Sequence, residues 1–120
     1  MAKNSNDLER AKYDRLILEK ETVADDLKDE GRKMQGSLSD LREDLQRGYR
    51  ELSMLHEEDI YEGDRESLRL QRENEAQEQL FRHRLEEMDE QISEEYQSEV
   101  RKIENEKEEL YRKRGDIPWD

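Results

Sequence analysis

The residues that could do chemistry here are carboxylates, 35 Asp and Glu in all. They stand in runs such as Glu57-Glu58-Asp59 and Glu86-Glu87-Met88-Asp89-Glu90. Two carboxylates act as general acid and general base only where a desolvated pocket drives their pKa values apart. Adjacent acids in a chain this polar read instead as solvated helix faces. His56 and His83 are the only histidines, too far apart to share a metal ion once the chain is folded back on itself. Residues 57–64 lack the alternating oxygen ligands and closing Glu of an EF-hand calcium loop. No cysteine is present, so thiolate ligands and disulfides are absent. No Ser–His–acid set and no glycine-rich phosphate loop can be assembled. The sequence is therefore read as a non-enzyme, with no catalytic, cofactor-binding or metal-binding residue.

The elements that must carry these side chains are helices. Of 120 residues, 48% are charged and 30% hydrophobic, and the formal net charge is −13. Leu, Ile, Val and Phe make up slightly under a fifth of the chain, which is at the edge of what can order at all. Yet Ala, Glu, Lys, Arg and Leu supply about half of it and recur with a helical period, the mark of long helices or a coiled coil. Pro118 is the only proline, so no internal ring interrupts a long hydrogen-bond ladder. No apolar run approaches the ~18 residues of a membrane span, and residues 1–6 lack the apolar core of a signal peptide. The acidic balance disfavours nucleic acid and anionic membranes. The expected location is the cytoplasm, or co-export with a partner by a non-Sec route.

Steps of three and four link Gly31, Met34, Leu38, Leu41, Leu45, Gly48, Leu52 and Leu55, an a/d seam that buries one face of a helix against another. A second seam runs through Leu70, Asn74, Gln77, Phe81, Leu85, Met88, Ile92 and Tyr96, and Leu27 extends the first. Between them Tyr61, Gly63 and Asp64 read as a turn, with Gly63 left-handed and Asp64 capping the next helix. The expectation is one all-α domain over 1–120, a long antiparallel two-helix hairpin of coiled-coil character. Its helices would span about 6–59 and 64–114, with a turn at 60–63 and a tail at 115–120. Asn4, Ser5, Asn6 and Asp7 are candidate N-caps. A fold-back near residue 61 sets Leu41 against Phe81, Gly31 against Ile92 and Gly48 against Asn74. One continuous helix in a parallel dimer is the structural rival, and the polar glycine turn argues against it.

Several apolar residues fall off these seams: Leu16, Leu18, Val23, Tyr49, Met54, Leu80 and Tyr111. They are candidates for a second stripe that completes a bundle with a partner or a second copy, since a lone hairpin with so thin a seam is marginal. Ile117 and Trp119 in the tail are candidates either for a clip near Leu8 or for entry into a partner's groove, tryptophan being favoured at binding hot spots.

The Tyr61-Glu62-Gly63 turn resembles the Trp-x-Gly turn of the WXG-type small proteins of type VII secretion. With the acidic, cysteine-free chain and the ending Gly115-Asp116-Ile117-Pro118-Trp119-Asp120, it is similar to the small helical partners encoded beside LXG toxins. That resemblance implies an adaptor or chaperone that binds the N-terminal helical domain of an LXG toxin and promotes its type VIIb secretion, often with a second small helical protein. Two departures stand out: Tyr61 occupies the tryptophan position, and no aromatic is followed four residues later by an acid, since Phe81, Tyr96 and Tyr111 precede Leu85, Val100 and Gly115. By the same resemblance, this chain would stabilise the toxin while a second partner carries the export signal. The alternative is a structural coiled-coil protein that self-associates as a homodimeric four-helix bundle or spacer.

Overall fold

The computed structural model describes residues 5–119 and is all-α: helix α1, Ser5–Tyr61, and helix α2, Arg65–Gly115, form an antiparallel hairpin. Asn4, one of the candidate caps, and Asp120 of the tail lie outside the described residues. Long helices follow from the absence of internal proline and from many i,i+3 and i,i+4 pairs. Arg69 engages Glu66 and Glu73, Arg82 engages Glu78 at 2.7 Å, and Arg112 engages Glu109. Such pairs add only a few tenths of a kcal/mol each, so their number matters more than any one of them. Arg112, Lys113 and Arg114 occupy the last turn of α2, where cations meet the negative end of the helix dipole.

The turn is built as its residues require. Gly63 takes φ +95°, and its N–H donates to Ile60 O at 2.9 Å while Asp64 N–H donates to Asp59 O at 3.0 Å. This paired closure is a Schellman motif, which needs a left-handed residue and so favours glycine. Asp64 caps α2: its carboxylate accepts from the N–H groups of Glu66 at 3.0 Å and Ser67 at 3.4 Å, and from Ser67 Oγ at 3.0 Å. Those bonds hold the Asp64 carboxyl below its ordinary range, the Ser67 side chain contributing most.

The fold-back is centred on Gly63 rather than near residue 61, and the pairing slides by one helical turn. A Cβ on Gly31 would lie 3.2 Å from Tyr96 Cγ, so Gly31 meets Tyr96 and not Ile92. Gly48 has nothing within 4 Å of such a Cβ; the residue that reaches Asn74 is His56, at 3.2 Å.

The chain divides into two compact units, one made of the ends up to Arg32 and from Ser93 onward, the other of Lys33–Ile92. In the end unit, Arg10, Ile17, Ala24 and Gly31 are buried at steps of seven, the a-type line of a heptad. In the turn unit Leu85 and Ser67 are buried. Leu38 and Leu45 are half-buried there.

Candidate functional site

In the end unit the two helix segments are joined by charge. Lys20 reaches Glu106 at 2.6 Å, Lys28 reaches Glu104 at 3.5 Å and Lys107 reaches Glu21 at 3.9 Å. Arg114 Nε and Asp14 lie 2.7 Å apart, though not aligned for a hydrogen bond. The Lys20 hydrogen bond is the chief reason that the Glu106 carboxyl sits below its usual range. Beside this bridge runs an open groove of about 640 Å³ with Lys20, Lys102, Glu106 and Lys113 among its walls. The tail closes on the same unit. Arg10, only 7% exposed, donates to Pro118 O at 2.9 Å and pairs with Asp7 at 2.7 Å. Its guanidinium carbon lies 3.9 Å from the centroid of the Trp119 ring, a cation–π stack. Ile117 is 8% exposed and Trp119 79%. The tail is thus a clip, on Arg10 rather than on Leu8, with Ile117 committed to the chain's own end and Trp119 still open on its outer side.

The turn unit is built differently. Its ion pairs among the described residues link residues three or four apart on one helix. Next to the turn its helices instead meet through a polar seam: Ser53 with Gln71 at 3.4 Å, His56 with Asn74 at 3.2 Å, Asp59 with Ser67 at 3.4 Å. Tyr49 is half-buried in that seam and helps wall a groove of about 280 Å³ with Ser53, His56, Gln71 and Asn74. Arg42 is half-buried as well, and its Nε is buried with no hydrogen-bond partner.

This corrects the expected seam. Met34, Leu41, Leu52, Phe81 and Met88 were its core, yet they are 46, 46, 41, 41 and 47% exposed. Leu55, also on that line, is exposed too. On α1 the half-buried line lies one residue further along, at Gln35, Arg42, Tyr49, Ser53 and His56; on α2 Gln71, Glu78 and Asp89 shift likewise, while Asn74 and Leu85 of the expected seam stay in place. Tyr49 therefore belongs to the seam and not to an outer stripe. Leu27, Leu38, Leu45, Ile92 and Tyr96 are half-buried and Leu85 is buried, as a seam requires. Of the remaining off-seam candidates, Leu18, Val23, Met54, Leu80 and Tyr111 are exposed and Leu16 is half-buried. Tyr111 Oη lies 3.4 Å from a Glu21 oxygen. Tyr61 is 94% exposed, so the turn aromatic stands open to solvent.

Sequence reasoning missed Arg10 and the polar seam. A signal for the second was present, in that Tyr49 and Ile60 sit on the buried line while Gly48 sits on the leucine line. The carboxylates that shift, Asp64, Glu66 and Glu106, all move downward through hydrogen bonds, the Glu66 shift led by Arg69. A general acid at neutral pH needs the opposite shift. Among the described residues no cluster of three His, Asp or Glu could hold a metal ion, and no helix is long and apolar enough to cross a membrane. No family model, curated protein or solved structure matches the chain.

Proposed function

We propose that the chain is a non-catalytic binding module that works by lending helices to a helical partner protein. The observation carrying this reading is the exposed apolar line of the turn unit, Leu41, Leu52, Leu55, Phe81 and Met88, of which Leu52 and Leu55 stand beside polar pairs between the helices. Burying such residues is worth about 1.5–3 kcal/mol each. Leaving them in water while Ser, Gln, His and Asn pair between the helices runs against the hydrophobic effect, the main driving force for folding. A further helix on that side reverses the imbalance. The resemblance at Tyr61-Glu62-Gly63 and in the tail narrows the partner to the N-terminal helical domain of an LXG toxin, the chain serving as adaptor or chaperone for type VII export. Co-expression with such a domain tests this: a stoichiometric complex that co-purifies and protects both chains from proteolysis is expected. Failure to co-purify, together with a stable homodimer in light scattering, would instead establish a self-associating structural protein.

A further inference from the structure

The apolar residues left outside the polar seam form one face, and the face selects its occupant by charge. In the turn unit the exposed apolar positions Leu41, Leu52 and Leu55 stand one residue before the half-buried Arg42, Ser53 and His56. On α2, Leu70 and Met88 stand one residue before Gln71 and Asp89, and Phe81, 11 residues after Leu70 and seven before Met88, lies on their line. One residue is about 100° of helix rotation. In an antiparallel pair the two helices, viewed down a common axis, rotate in opposite senses. Stepping back one residue on each therefore swings both stripes to the same side of the pair. With the half-buried Leu38 and Leu45, the apolar arc on α1 points between its neighbour and that open side. This is the orientation of a helix in a three- or four-helix bundle, where each stripe faces a common centre.

The rim of the face decides what can fill it. Asp44, Glu51 and Glu58 flank it on α1 at steps of seven, and Glu66, Glu73 and Glu87 flank it on α2. Lys33, Arg47, Arg69 and Arg84 are cations on that side; Arg47 is already engaged by Asp44, and Arg69 by Glu66 and Glu73. Across residues 33–92 there are nine Lys and Arg against seventeen Asp and Glu, a balance of −8. A second copy would lay acid rim on acid rim, and flanking charges of like sign disfavour pairing at e and g positions. We propose that this face docks an amphipathic helix of a partner whose apolar stripe is flanked by Lys or Arg. The inference rests on the binding-module reading and specifies its surface and the partner's charge.

The test uses the full chain and two labelled synthetic helices of about four heptads, both with Leu at a and d, one with Lys and the other with Glu at e and g. Fluorescence anisotropy should show the Lys-flanked peptide binding and the Glu-flanked one not. Leu41→Glu/Phe81→Glu should weaken binding by about tenfold or more even though it adds two negative charges. Ser39→Glu/Gln79→Glu adds the same charges at exposed positions outside the face and should leave binding intact. Equal binding of both peptides to the unaltered chain overturns the proposal whatever the variants do. So does no binding of the Lys-flanked peptide, undiminished binding by the double variant, or a homodimer that the double variant dissociates. A Lys-flanked peptide that binds while an LXG domain does not leaves the face standing and removes the toxin partner. An LXG domain that co-purifies equally well with Leu41→Glu/Phe81→Glu does the reverse.

Discussion

At the scale of single residues, the two seam glycines look alike in sequence and differ in space. Gly31 is buried, with Tyr96 where its Cβ would go, while Gly48 faces open space. Alanine in place of a mid-helix glycine is worth about 1 kcal/mol in propensity alone. Gly48→Ala should therefore raise the melting temperature by about 4 °C. Gly31→Ala should gain well under half of that, because the Tyr96 ring must give way, and Gly31→Leu should lower it. Circular-dichroism melts decide the matter, and equal gains at both positions would mean that Gly31 makes no close approach. Charge in the tail behaves in the same way. Arg10 could be read from sequence only as one more surface cation. It is buried because Pro118 O, Asp7 and the Trp119 ring together replace its water.

At the scale of elements, the helix limits and the turn were legible because their signals are local. Gly63 and Asp64 sit where a left-handed C-terminal residue and an N-cap are needed, and the structure uses both. The cap makes a pH prediction whose sign is fixed. The Asp64 carboxyl is lowered in the folded chain by its bonds from Ser67 and Glu66. Its stabilisation is therefore complete above the ordinary aspartate pKa of about 3.9 and is lost as pH falls through the lowered folded value. Asp64→Asn keeps an acceptor oxygen but does not titrate. The unaltered chain should melt above this variant at pH 7, and the gap should close as pH falls below about 4. A gap that persists unchanged at pH 2 would show that the carboxylate form is not what caps α2. The register was less legible. Sequence periodicity marks which residues of a helix share a stripe, and hydrophobicity favours Leu41 for the seam, but the facing is set across the pair of helices: Leu41 is exposed and Arg42 half-buried.

At the scale of the whole molecule, the apolar side chains buried among the described residues are Ile17, Ala24, Leu85 and Ile117. So thin a core leaves the isolated chain near the limit of stability. It should unfold at low temperature in a broad transition. Saturation with the Lys-flanked peptide at a hundred times its Kd should add about 2.7 kcal/mol, a gain that shrinks as salt screens the acidic rims. A chain that already melts high when alone, with no gain from the peptide, would remove the need for a partner. Composition and period by themselves determined the helical class, because a charged, proline-poor chain with apolar residues at three- and four-residue steps has few other ways to bury them. They determined the turn as well, since glycine conformation and capping are local. Which of two neighbouring stripes faces inward, and so which apolar residues are left exposed, only the tertiary structure decided. That choice depends on the length of the turn and on contacts between residues far apart in the chain: Gly31 with Tyr96, His56 with Asn74, Arg10 with Pro118. No local pattern encodes them.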